Sequence, residues 1–219
     1  MTVAILGGTG DLGYGLAVRL AHAGVEVAIG SRDAVRAAEA ADRVRSAAGG
    51  SVSGAANPDA ARGAEVVVVA VPFAAQAATL ASIVDALDGQ SVVDATVPLA
   101  TAVGGKPTRT IGVWAGSAAQ QAQEVVGDRA RVVSALHTVS AASLADLAHE
   151  LDEDVLICGD KKADKEAVTK LIELVPGLRC VDVGRLELSR IVEQLTPLLI
   201  AINIRHKTHA GIRITGLRD

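Results

Sequence analysis

Thr2-Val3-Ala4-Ile5-Leu6 runs straight into Gly7-Gly8-Thr9-Gly10-Asp11-Leu12-Gly13, and Leu16, Ala17 and Leu20 follow at helical spacing. The first five residues form a short apolar run, suited to a strand covered on both faces. Gly8-x-Gly10-x-x-Gly13 stands where that strand must turn into a helix. Gly8 permits the tight turn, Gly10 lets backbone approach a pyrophosphate, and Gly13 lets helix and strand pack closely. Phosphates would rest on the helix N-terminus, where free N–H groups and the dipole favour negative charge. A glycine motif alone says little in a chain with 22 glycines. Strand before, helix after and a second strand at the right distance make it a dinucleotide site.

The pattern of strand then helix continues along the chain. Val25–Ile29 reads as a second strand, and Asp33 caps a helix that runs to Ala48. Ser51–Gly54 is a third strand, followed by a brief helix with Asn57 as N-cap and Pro58 at its first position. Val66–Val71 is the most hydrophobic strand. A helix over Phe73–Leu87, a strand over Ser91–Asp94 and a Gly/Pro/Thr-rich loop over Val97–Arg109 come next. Further helices are expected over Ser117–Val126, Ala141–Glu150 and Lys161–Leu174, the last capped by Asp160. Strands are expected over Arg131–Ser134, Val155–Cys158 and Arg179–Val183. Alternation of this kind predicts an α/β fold, a Rossmann-type doubly wound parallel sheet. Leu186–Ile204 instead reads as a long apolar helix interrupted at Pro197, and Gly211–Leu217 as a terminal strand. The chain thus divides into a sheet-based unit over 1–184 and a small helical C-terminal segment over 185–219.

Composition narrows the function. Phe, Tyr and Trp occur once each, so the core is aliphatic and the stacking platforms of single-strand nucleic-acid binders are missing. The net charge of −4 gives no general attraction to nucleic acid. Residues 185–219 carry six Lys/Arg against three acids, either a solvated basic tail or a seat for an anionic ligand or partner. No run of about 18 apolar residues predicts a membrane span. Cys158 and Cys180 lie in apolar runs, as expected of core residues in a reduced, cytoplasmic protein. The apolar stripe of Leu186–Ile204 needs a cover, either within the chain or in a homodimer.

Cofactor choice is read at the end of the second strand, where NAD-binding folds place an acid for the ribose 2′-OH. Here the residues are Gly30-Ser31-Arg32, and Arg36 lies one turn along the next helix. A hydroxyl and two guanidinium groups suit the 2′-phosphate of NADP(H), through charge-assisted and bidentate bonds. Thr9 adds a hydroxyl, and Asp33 reads as a helix cap, not as the NAD-type acid. Reactive groups gather at the carboxyl ends of strands, and His137 is the only histidine at such a place. It is a candidate for orienting or polarising a substrate, or simply a structural histidine. No metal-ligand spacing is present. A hydride transfer between two cofactors needs no general acid, only two rings held face to face.

Taken together, Gly7–Gly13, Gly30-Ser31-Arg32, Val133-Ser134-Ala135-Leu136-His137-Thr138, Cys158-Gly159-Asp160 and Glu193-Gln194-Leu195-Thr196-Pro197-Leu198 resemble the F420H2:NADP oxidoreductases over nearly the whole chain. The resemblance implies hydride transfer between NADP(H) and coenzyme F420 as co-substrate. It implies that Thr9, Ser31, Arg32 and Arg36 hold the 2′-phosphate end, and that Gly10, Asp11 and Leu12 hold the pyrophosphate. Phe73, Leu99 and Ala141 would line the NADP groove. His137, Arg190 and Thr196 would contact the deazaflavin, with Ala210 beside it and Gln194 where the family carries serine. Residues Thr101–Trp114 depart from the family pattern. The phosphate and polyglutamate tail of F420 would meet the basic C-terminal segment. Two other functions fit the residues: a small NADPH-dependent imine or carbonyl reductase of the pyrroline-carboxylate reductase type, and a non-catalytic NADP-binding protein.

Overall fold

The computed structural model describes residues 1–217. Eight strands form one sheet in the order β3-β2-β1-β4-β5-β6-β7-β8. They are β1 (Thr2–Leu6), β2 (Glu26–Ser31), β3 (Val52–Ala56), β4 (Val66–Val69), β5 (Ser91–Asp94), β6 (Arg131–Ser134), β7 (Glu153–Cys158) and β8 (Leu178–Gly184). The helices are α1 (Asp11–His22), α2 (Ala34–Ala48), α3 (Asn57–Ala61), α4 (Phe73–Ile83), α5 (Ala118–Val126), α6 (Ala141–Ala145), α7 (Lys162–Ile172), α8 (Ser189–Val192) and α9 (Leu195–His206).

Strands β1 to β6 pair in parallel, and the strand order reverses between β1 and β4. Alternate residues feed two cores. Val3, Ile5, Val27, Ile29, Val68 and Val93 pack towards α1, α2 and α7. Ala4, Leu6, Val67, Val69, Val92 and Val132 pack towards α3, α4 and α5. With both faces covered, the inner positions of β1, β2, β4, β5 and β6 are apolar, which is why they read as hydrophobic runs, with polar residues such as Glu26, Asp94 and Arg131 at strand ends. β7 departs from the expected parallel sheet: it runs antiparallel to β6 and meets it at one pair, Ser134 with Cys158. A third, smaller cluster of Leu156, Cys158 and Val192 seats the C-terminal segment on β7.

Four local expectations are corrected. The helix expected over Ala141–Glu150 stops at Ala145, because the Arg19 guanidinium takes the carbonyls of Ser143, Leu144, Asp146 and His149 out of helical bonding. The Asp160 carboxylate does not cap α7; it accepts from the Leu186 N–H and joins β8's exit to the sheet. Leu186–Ile204 is interrupted as expected, but slightly earlier than Pro197: a short turn, α8 and α9 follow each other, and α9 starts at Leu195 with Pro197 in its first turn, where a missing N–H costs no bond. Described residues 211–217 form no strand. Instead the Asp154 N–H donates to the Ile212 carbonyl, and the buried Asp154 carboxylate accepts from Ile214 N–H, Arg179 and Arg213. Part of the basic tail is therefore spent on an internal acid; Arg218 and Asp219 lie outside the described residues. No helix among the described residues is long and apolar enough to cross a membrane.

The three aromatics are well separated. Phe73 opens α4, Tyr14 lies 4.6 Å beneath the Arg43 guanidinium, and Trp114 projects wholly into solvent from a turn closed by Gly116 N–H to the Val113 carbonyl.

Candidate active site

A groove runs along the carboxyl ends of the strands. Its floor at one end is the loop between β1 and α1. Gly7, not Gly8, holds the left-handed conformation there, with φ +88°. The turn expected of Gly8 thus belongs to Gly7. Gly8 is required for another reason: a Cβ there would meet Ile29 Cγ2 at 2.8 Å. A Cβ on Gly13 would lie 2.5 Å from the Gly7 carbonyl, so Gly13 does serve close packing of helix on strand. Gly10 precedes α1 as its cap, without a side-chain bond, and Asp11 and Leu12 begin the helix. Its first N–H groups have no side-chain cap and are available to an anion.

Thr9, Gly10, Ser31, Arg32 and Arg36 line one cavity of about 460 Å³, closed on its far side by Val71, Pro72, Ala75 and Thr79. Asp33 accepts from the Val35 and Arg36 N–H groups, so it is the cap of α2. That leaves Arg32 and Arg36 exposed at the rim, with no acidic partner among the described residues. Two guanidinium groups without an acidic partner, beside the hydroxyls of Thr9 and Ser31, have the chemistry to take a phosphate; Ser31 Oγ also accepts from the Asp33 N–H at 3.2 Å.

Val71 and Pro72 also wall the next cavity, of about 240 Å³, so the two spaces adjoin at these residues. Leu12, Phe73, Leu99, His137, Ala141 and Thr196 line this second space. His137 is buried, and neither ring nitrogen has a hydrogen-bond partner of ordinary geometry. Burial brings its pKa down to about 4, against a smaller upward effect of the Thr96 backbone. The imidazole is therefore neutral at physiological pH. Leu136, at φ +70°, turns the chain sharply just before it, a strained conformation that points to a functional constraint. The His137 carbonyl accepts from Thr196 Oγ1 at 2.7 Å, which ties α9 to the end of β6.

Arg190 and Gln194 do not line the same space as His137 and Thr196. They border a third cavity of about 460 Å³ beyond Pro98, with Thr110 and Ile111 opposite. Gln194 Oε1 accepts from Thr110 Oγ1 at 2.8 Å. The residues expected around the deazaflavin thus fall on two sides of Val97-Pro98-Leu99. Ala210 is half-buried and bonded through its N–H to Asn203 Oδ1; it borders neither space.

Relatives decide what this groove belongs to. The family model described as NADP oxidoreductase coenzyme F420-dependent matches residues 2–98. An F420-dependent NADP reductase of Methanothermobacter thermautotrophicus is 46% identical, with 100% of this chain and 97% of the relative aligned. The chain belongs to the F420-dependent NADP reductase family. A member from Methanocaldococcus jannaschii is 42% identical over 99% of both chains. A crystal structure from Arthrobacter sp. FB24, provisionally assigned as an F420-dependent NADP-reductase, superimposes with a TM-score of 0.81 at 29% identity, covering 95% of this chain and 96% of that one.

Beneath the groove of this reductase lies a polar network that the sequence reading missed. Gln76 Nε2 donates to Asp94 Oδ2 and Thr96 Oγ1, both at 2.8 Å, and lies 2.9 Å from the Ala118 carbonyl. Glu193, 1% exposed, accepts from the Ala118 and Ala119 N–H groups at the start of α5. Burial pushes Asp94 up to about 7 and Glu193 up to about 8, partly offset by these donors. Burial also pushes Glu153 up to about 7; its Oε2 has no partner, and its side chain occupies the space a Cβ on Gly211 would need. The only sequence signal for the network was an acid at the end of an otherwise apolar strand.

These acids have a stated consequence. Each binds its proton more tightly folded than unfolded, so its contribution is full at low pH and is lost as pH rises through the folded pKa. His137 acts oppositely, but only below its unfolded value of about 6.5. Between pH 6.5 and 8 the acids alone remain, and stability falls by about 3 kcal/mol. Urea unfolding followed by far-UV circular dichroism measures it. A flat or rising curve is inconsistent with these shifts, and Glu153→Gln should reduce the slope.

Proposed function

We propose that this protein transfers a hydride reversibly between NADP(H) and coenzyme F420, and that the groove described above is where it does so. One observation carries the reading: Val71 and Pro72 belong to both the phosphate-lined cavity and the apolar cleft holding His137. A dinucleotide can therefore lie across the switch point of the sheet, with its charged end against Arg32 and its ring against His137.

The two coenzymes supply the redox chemistry, a hydride moving between nicotinamide C4 and deazaflavin C5. The protein's own residues bind and orient. Thr9, Ser31, Arg32 and Arg36 hold the 2′-phosphate; Gly10, Asp11 and Leu12, backed by Gly8 and Gly13, hold the pyrophosphate. Phe73, Leu99 and Ala141 shape the cleft and exclude water. His137 and Thr196 face the deazaflavin from the cleft. Arg190 and Gln194, across Pro98, hold its more polar portion, and Ala210 stands further out. The unpaired nitrogens of His137 are suited to hydrogen-bond a ring carbonyl or N–H. A second copy covers Ile191, Leu198 and Ile204, which stand exposed on α8 and α9, and both cysteines are free thiols, as suits a cytoplasmic enzyme.

The direct test follows the absorbance of oxidised F420 as NADPH is added. The band should bleach, and return with excess NADP. A band that stays constant in both directions ends the reading, and consumption of NADPH with a cyclic imine acid in its place would favour the imine reductase alternative. His137→Ala should slow turnover about tenfold, since stacking and phosphate contacts remain. Because His137 is neutral, the wild-type rate should show no inflection from it between pH 5.5 and 8. An inflection abolished by His137→Ala would assign it proton chemistry.

A further inference from the structure

Asn57 is the first residue of α3, directly after β3. It is 4% exposed, yet it lines the cavity that holds Ser31 and Arg32. Its Oδ1 has no hydrogen-bond partner. The pairing of Ser31 with Ala56 places Asn57 just beyond Ser31, at the 2′-phosphate end of the groove. Gly30 makes the room: a Cβ there would lie 2.9 Å from Asn57 Oδ1, and its other close neighbours are the apolar Leu6 and Ala60. A buried amide oxygen without a partner costs folding free energy, and the neighbouring apolar side chains give nothing back. A bound ligand would supply the missing partner.

We infer that Asn57 is a further nucleotide-binding residue, hydrogen-bonding the adenosine ribose at its 2′ position. The inference rests on the NADP reading above. An amide both donates and accepts. Its N–H suits a 2′-phosphate oxygen, and its carbonyl suits a 2′-hydroxyl. Arg32 and Arg36 only donate and favour the phosphate. Asn57 therefore contributes to binding of NADPH and NADH alike, while the arginines choose between them.

The test uses the full-length protein and NADPH or NADH alone, with dissociation constants from calorimetric titration and thermal midpoints without nucleotide. Asn57→Ala should weaken both nucleotides about tenfold, keep their ratio, and leave the free protein at least as stable. Asn57→Asp, nearly identical in shape, should weaken NADPH at least tenfold more than NADH, because a carboxylate repels the phosphate but still accepts from the hydroxyl. Unchanged affinities for Asn57→Ala, with a destabilised free protein, would make Asn57 structural and overturn the inference. An unchanged NADPH-to-NADH ratio in Asn57→Asp would remove it from the 2′ position. Failure of the NADP reading looks different: the wild type itself would bind neither nucleotide, and the inference would fall with it.

Discussion

Arg32→Ala should weaken NADPH by roughly thirtyfold to a hundredfold and change NADH by less than threefold. Arg32 stands exposed at the rim of the adenosine-end cavity, unpaired among the described residues and one helical turn from Arg36. The adjacent acid in sequence, Asp33, is already engaged as the cap of α2. Charge-assisted hydrogen bonds to a phosphate are worth about 1.5–3 kcal/mol, and Arg36 remains in the variant, which sets the size of the loss. Because the site is open to solvent, the NADPH advantage should shrink as salt rises from 50 to 500 mM, and shrink less in the variant. Fluorescence titration with both nucleotides gives the answer. Equal losses for NADPH and NADH would show that Arg32 supports the loop and does not read the phosphate.

The second large effect concerns folding. Arg19→Met should destabilise the protein by about 2–4 kcal/mol. Arg19 is 7% exposed, and its Nε bonds the Leu144 carbonyl at 3.0 Å. One terminal nitrogen bonds the carbonyls of Ser143 and His149 at 2.8 Å and reaches that of Asp146. Methionine keeps most of the apolar stem and removes every donor. Ser143 and Leu144 are buried, so their carbonyls would be left without partners; those of exposed Asp146 and His149 can turn to water. Two unsatisfied carbonyls, at about 1–3 kcal/mol each and partly relaxed, give the estimate. For a chain of this length it lowers the melting midpoint by about 6–12 °C. Burial already pulls the Arg19 pKa down, with the Asp146 charge opposing, so Arg19→Lys, with fewer donors, should fall between. A midpoint within a degree of wild type would mean residues 143–149 hold themselves without it.

These two arginines mark where sequence reading succeeds and where it stops. Arg32 was legible because its meaning is local: it follows a strand by a fixed offset, and that offset carries chemistry. The strands were legible because burial on both faces makes their inner positions apolar. Arg19 was not legible, since its partners lie 124 to 130 positions away. The helix expected beyond Ala145 failed for the same reason, as helical periodicity there competes with an acceptor cluster formed around a distant side chain. Gly7 was misjudged by one position because Gly7 and Gly8 adjoin, and only the turn's geometry separates conformational need from crowding. The split between His137 with Thr196 and Arg190 with Gln194 depends on which side of Pro98 each helix delivers its side chains. The antiparallel β7 carried no signal either, because strand direction is set by connection and packing, not by composition.

Trp114 stands fully hydrated in the folded protein, and no second indole lies in the core. Denaturation should therefore shift its emission hardly at all: the dye a spectroscopist would reach for reports a loop tip, silent to the melting of an aliphatic interior. The same scarcity is useful in turnover assays, where little ultraviolet background from the polypeptide competes with the signals of NADPH and the deazaflavin.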